Sequence, residues 1–183
     1  MKEEKKRDDT NSNAKNNGAN NPIRLLVPIK SFDYGETVQD ILFTNKDLPF
    51  ESISLLHVIE DSALDTPSYT HMEAISRLSQ QDRKTIEARA FLEEIAARVS
   101  SFLHVEVRSE IIVAENIAEC IIKQAERWQC NVAILLADTS SFNQGWFSTS
   151  VLKTVLKKAP LDLRVHVIRP AAGEGLSFGL KLR

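Results

Sequence analysis

The sequence predicts an α/β fold, a single doubly wound sheet of five parallel strands with helices on both faces. Three observations carry that expectation. Apolar runs of strand length recur along the chain: IRLLVPI at Ile23 to Ile29, SISLLHVI at Ser52 to Ile59 and VAILL at Val132 to Leu136. Runs of that kind belong to strands buried on both faces. Between them lie segments with apolar residues at helical spacing. Strand and helix therefore alternate, and right-handed crossovers turn such an alternation into a parallel sheet covered on both sides.

The chain has 183 residues, enough for one domain with a sizeable core. Its hydrophobic content of 43% and charged content of 26% are those of an ordinary globular protein. A net charge of −2 gives no electrostatic case for a nucleic-acid partner or an anionic membrane. The apolar runs fall well short of the roughly 20 residues that a membrane helix needs. The charged N-terminus lacks the apolar stretch of a secretory signal. Cys120 and Cys130 have neither the number nor the spacing of a disulfide framework or a metal site. These features predict a cytoplasmic protein without membrane insertion.

Residues 1–21, with KEEKKRDD and NSNAKNNGANN, read as a disordered polar tail. A solvated arm and a partner-binding tether are both readings of it. The domain is expected over 22–170, followed by a C-terminal tail, 171–183, without clear periodicity.

Within the domain, Ile23 to Ile29 is the first strand, with Pro28 near its end, where a missing donor is tolerated. Asp33 with Glu36 resembles a capping box opening a helix through Val38, Ile41, Leu42 and Phe43. Ser52 to Ile59 is the second strand. A long helix is expected from His71 to Ser101, with a stripe of Ile75, Leu78, Ile86, Phe91, Leu92, Ile95 and Val99. Val105 to Val113 alternates at its start, which suggests a third strand near a sheet edge. Asn116 and Glu119 form a second capping pair, before Ile117, Cys120, Ile121 and Trp128 at helical spacing. Val132 to Leu136 is the fourth strand. Ser148, Thr149 and Ser150 are N-cap candidates for a helix through Val151, Leu152, Val155 and Leu156. Leu163 to Ile168 is the fifth strand.

The stretch from Asn131 to Pro160 holds the arrangement that points to a ligand. Strand, polar loop and helix N-terminus follow one another, and the free N–H groups of a first helical turn attract anions. In a doubly wound sheet, ligands bind beyond the carboxyl ends of the strands, where the winding reverses. That edge collects Ile29-Lys30, Val58-Ile59, Val113-Ala114 and Ala137-Asp138. Glycines that would let backbone approach a phosphate are scarce here, Gly145 being the only one in the loop.

In order and spacing, IRLLVPIK, SLLHVIE, AECIIKQAERWQCNVAILL and STSVLKTVLKKAP give a chain that resembles the universal stress protein family over Ile23 to Arg169. The resemblance implies the five-stranded fold shared with adenine-nucleotide alpha-hydrolases, a stress-related role and pairing through the last strand. One branch of that family binds ATP through a G-x-x-G-x9-G-S/T loop, with an acidic residue after the first strand and a glycine after the third. The pocket positions implied are Lys30, Val58, Ala114, Ala137, Ser140, Thr149 and Ser150. Ala137 and Ser140 replace the first two loop glycines, and Thr149-Ser150 replaces the Gly-Ser pair. The loop between them, Ser141 to Ser148, is one residue short of the pattern, Ala114 replaces the glycine after the third strand, and Lys30 stands for the acidic residue. Cβ atoms at those positions crowd a triphosphate, and a lysine cannot accept hydrogen bonds. The expectation is a branch that does not bind ATP in the family's way and carries no cofactor.

Other residues admit two readings each. Lys30 either binds an anion with Thr149 and Ser150 or pairs with Asp138 across the strand ends. His57 reads as a hydrogen-bonded core histidine. Phe142, Trp146 and Phe147 form either a lid or partner patch, or packing over the sheet edge. Ser148, Thr149 and Ser150 read as helix caps, since no G-x-S-x-G turn surrounds them. Without paired carboxylates or a Cys/His signature, no enzyme is predicted. The function expected is a regulatory module acting as a homodimer through Leu163 to Ile168 and through a protein partner, with a small-ligand sensor as the alternative.

Overall fold

Ile23–Pro28 forms β1, the central strand of the sheet, and its six residues are nearly all buried because strands and helices surround it on every side. The structure, a computed structural model, describes residues 21–61, 71–137 and 149–168. Along the chain follow α1 (Phe32–Thr44), β2 (Phe50–Glu60), α2 (His71–Leu103), β3 (Glu106–Ala114), α3 (Ile117–Arg127), β4 (Val132–Leu136), α4 (Thr149–Lys158) and β5 (Arg164–Ile168). The strands lie in the order β3-β2-β1-β4-β5 and every pairing is parallel. The predicted five-stranded sheet is therefore the one observed, with β3 and β5 at its edges.

Alternation of side chains divides the core in two. Ile23, Leu25 and Val27 of β1 point with Ile53 and Leu55 of β2 toward α1 and α2, meeting Val38, Ile41, Leu92, Ile95 and Val99. Leu26, Leu56 and Val58 point the other way, onto Ile117, Cys120 and Ile121 of α3 and Val155 of α4. Cys120 and Cys130 are buried free thiols, and burial pushes both pKa values up. They are packing groups.

Two local expectations need correction. The N-cap of α1 is Ser31, in extended conformation and without a side-chain capping bond, and Asp33 lies inside the first turn. The chain turns helical two residues earlier than a capping box at Asp33 requires. There the aspartate meets the positive end of the helix dipole instead. Ile86 is not core, being 69% exposed. The buried face of α2 runs through Ala88, Leu92, Ile95 and Val99. Ile86 stands two residues before Ala88, about 200° around the helix at 3.6 residues per turn. The side chains of Ile75 and Leu78 lie outside the described set. At α3, by contrast, Asn116 caps as expected and accepts from the Glu119 N–H at 3.1 Å. The Glu119 carboxylate does not close the box, but takes Lys158 Nζ of α4 at 2.8 Å.

At the amino ends of the strands Asn131 holds three of them together. Its N–H donates to the Arg24 carbonyl and its own carbonyl accepts from the Arg164 N–H, both at 3.0 Å. Its side chain accepts from the Arg24 N–H at 3.0 Å and donates to the Pro22 carbonyl at 2.8 Å. The Arg24 guanidinium in turn donates to the Gln129 carbonyl at 2.6 Å.

Helices α1 and α2 approach each other at Gly35. A Cβ built there would lie 1.9 Å from Cδ1 and 2.9 Å from Cγ1 of the fully buried Ile95. Gly35→Ala is expected to cost about 1–3 kcal/mol through overpacking, more than the roughly 1 kcal/mol gained in helix propensity. Urea denaturation checks this, and adding Ile95→Val should recover part of the loss because it removes Cδ1. Equal stability of Gly35→Ala and wild type would show that the helices have slack.

Candidate functional site

The winding reverses between β1 and β4. From β1 the chain moves outward through β2 to β3, then α3 carries it back across β2 and β1 to β4. The carboxyl ends flanking that reversal are where a ligand is expected. The β1–β4 register, Leu25 with Val132 and Leu26 with Ala133, places Ala137 beyond the end of β1.

Of the sequence-derived positions, Lys30 and Val58 meet. Both contribute to the wall of a cavity of about 460 Å³ between the start of α1, the end of β2 and α2. Lys30 is half-buried, and its Nζ lies 5.9 Å from the centre of the Tyr34 ring, within cation–π range. Ala114 lies apart, at the end of β3. It borders a different cavity of about 470 Å³, together with Asp61, Asn116 and Lys123. Ala137 is buried, and its N–H donates to the Ile168 carbonyl at 2.7 Å. Thr149 opens α4, while Ser150 is exposed and its carbonyl accepts from the Thr154 hydroxyl at 2.8 Å. Ser140, Asp138, Ser148 and the aromatics Phe142, Trp146 and Phe147 lie outside the described residues, and so does the Lys30–Asp138 pairing.

His57 is half-buried and hydrogen-bonded, as the sequence suggests. Its Nδ1–H donates to the Ile29 carbonyl at 2.8 Å, which ties the end of β2 to the end of β1. The ring stands edge-on to Phe91 of α2 at 5.2 Å and 87°. Burial lowers its pKa from the ordinary histidine value, and the Ile29 carbonyl offsets part of that effect. His57 also borders the cavity with Lys30, which sequence reasoning missed. The signal was present in α2. Lys84, Glu87, Ala88 and Phe91 recur at i, i+3, i+4 and i+7, and so share one helix face that mixes charge with apolar surface.

Among the described residues no group of three or more His, Cys, Asp or Glu side chains is placed to hold a metal ion. No helix among them is long and apolar enough to cross a membrane.

A family model described as the universal stress protein family matches residues 24–169, most of the chain. The chain belongs to the universal stress protein family. Solved structures agree on the fold of this universal stress protein. The hypothetical protein MJ0577 superposes with a TM-score of 0.63 at 21% identity, covering 81% of this chain and 96% of its own. The universal stress protein UspA from Lactobacillus plantarum gives 0.61 at 20% identity, covering 79% and 96%. The universal stress protein from Archaeoglobus fulgidus, in complex with dAMP, gives 0.51 at 16%, covering 78% and 96%. A search of curated proteins gives no match.

His166, on β5, also has a pKa lowered by burial and then by Arg164. With His57 it makes two histidines that resist protonation in the folded state. As pH falls, the unfolded chain takes up protons first, near its ordinary pKa of about 6.5. Stability is then lost between that value and the lower folded-state values. The urea midpoint is expected to be higher above this window than below it, and His57→Gln should shrink the difference. A midpoint that rises on acidification through the window contradicts the assignment.

Proposed function

We propose that this universal stress protein is a non-catalytic regulatory module of the stress response, acting in the cytoplasm as a homodimer and through a protein partner. In this reading its nucleotide loop is degenerate and it carries no cofactor. The observation that carries it is the set of side chains where the ATP-binding branch has glycines or an acid: Lys30, Ala114, Ala137, Ser140 and Thr149. Ala137 is the most telling of these. It is buried, with its N–H engaged by the Ile168 carbonyl at 2.7 Å, and a Cβ there narrows the approach of a phosphate. Isothermal calorimetry with Mg-ATP tests this reading. No heat, or binding far weaker than micromolar, is expected.

The second reading is a small-ligand or anion sensor using a pocket rebuilt at the strand ends. The cavity that brings Lys30 and Val58 together favours it, as does the dAMP bound by the Archaeoglobus fulgidus protein. A dissociation constant for Mg-ATP in the low micromolar range or tighter would select the sensor and overturn the degenerate loop.

Support for the homodimer comes from β5. Among the described residues it is an edge strand, and such an edge leaves a row of N–H and C=O groups to be paired, by a second copy or by the C-terminal tail folding back. Val167 is partly exposed, and Leu156 of α4 and Leu161 ahead of the strand are exposed large apolar side chains. Two copies placed antiparallel about a two-fold axis would pair the edges reciprocally. Light scattering at tens of micromolar is expected to give a dimer mass for the wild type. Val165→Pro, which removes a ladder donor, is expected to give monomer or aggregate. A monomeric wild type refutes the dimer.

A further inference from the structure

We propose that the outer edge of β5 is a docking surface for this chain's own C-terminal segment, Leu176 to Leu182. The segment pairs with β5 antiparallel, as a strap, and competes there with a second copy. In that competition the proposal rests on the homodimer reading and names its regulation. Among the described residues β5 has a neighbour on one side alone, β4, and its other side leaves main-chain groups to be paired. Val167 is 39% exposed, and Leu161, just ahead of the strand, is fully exposed. The segment has no helical pattern, yet Leu176, Phe178, Leu180 and Leu182 alternate with Ser177, Gly179, Lys181 and Arg183. That is the pattern of a strand with one apolar face.

Complementarity sets the register. Residues directly opposite in an antiparallel pair share a face of the sheet. Leu163 and Val165 pack into the core under α3 and α4, and Val167 has their parity. Setting Leu176 opposite Val167 brings Phe178 opposite Val165 and Leu180 opposite Leu163. Ser177 then falls opposite His166, whose Nε2 is buried without a hydrogen-bond partner among the described residues. Gly179 falls opposite the exposed Arg164, a place that asks for no apolar partner. Past the strand, the same count sets Leu182 against Leu161. It also sets Lys181 against Asp162, which forms no ion pair among the described residues. A slip of one residue would turn all four apolar side chains to the face of Arg164 and His166.

Residues 169–175 make the connection, and they include Pro170, Gly173 and Gly175, residue types that favour turns. At about 3.3–3.6 Å per residue they easily span the roughly 4.8 Å between neighbouring strands. The segment and a second copy need the same main-chain groups, so either one excludes the other. The dimer then forms only from the fraction of chains whose edge is open.

The full chain is compared with Phe178→Asp, which sets a charge on the apolar face, and with Phe178→Leu, which keeps that face apolar. Exchange of the β5 amides is followed by mass spectrometry at dilutions where every chain is monomeric. Light scattering across a dilution series gives the dimer dissociation constant. Phe178→Asp is expected to exchange the β5 amides about tenfold faster than wild type and to dimerise about tenfold more tightly. Phe178→Leu should behave as wild type. Equal exchange in Phe178→Asp and wild type overturns the strap and leaves the edge to a second copy. Faster exchange with an unchanged dimer dissociation constant overturns the competition for β5. Faster exchange with no dimer in any of the three chains supports the strap and refutes the homodimer instead.

Discussion

The structure depends on β1 having no side that faces water. A parallel strand with neighbours on both edges and helices on both faces satisfies its backbone through those neighbours, here β2, β4 and Asn131 just ahead of β4. Its side chains then have to be apolar on both faces, which is what IRLLVP provides. Each fully buried Leu or Ile contributes about 1.5–3 kcal/mol, and β1 places such residues in both halves of the core. The helices follow from that demand. With α1 and α2 covering one face and α3 and α4 the other, neither face of β1 can be exposed without opening a whole layer.

How much of this was legible in the sequence varies with the physics behind each residue. The buried strands were legible because burial on both faces leaves an unbroken apolar run, as in Val132 to Leu136. Asn116 was legible because its capping bond spans three residues and depends on little else. Asp33 was misread, since Ser31 and Asp33 are both good cap residues and tertiary packing decides where the helix begins. Ile86 was misread because its side chain falls about 200° from that of the buried Ala88, on the side of α2 turned away from the core. Gly35 gave no local signal at all. Its reason for being glycine is Ile95, sixty residues later and on another helix.

The candidate site was legible only as a scaffold. Strand, loop and helix order marked the sheet edge, and Lys30 and Val58 do share a cavity there. The residues that give that cavity its character come from α2, where Phe91 falls on the apolar stripe and Lys84 carries no signal of its own. Chemistry assembled from two faces of one fold is invisible to a reading that assigns each residue to its own element. His57 bridges the two scales. Its bond to Ile29 is a strand-end contact, and its ring belongs to the α2 wall.

Asn131 gives the two halves of the sheet a common hinge pin. The β2–β3 ladder runs through nine paired positions, from Ser52 to Glu60, whereas β1 and β4 share only two. The sheet is thus a three-stranded leaf and a two-stranded leaf joined along a short seam. At one end of the seam Asn131 fastens Pro22, Arg24 and Arg164 together. The other end is the crevice at the winding reversal. Because β1 and β4 pair over so short a length, the bonds of Asn131 carry a share of the joint between the leaves that a longer ladder would carry by itself.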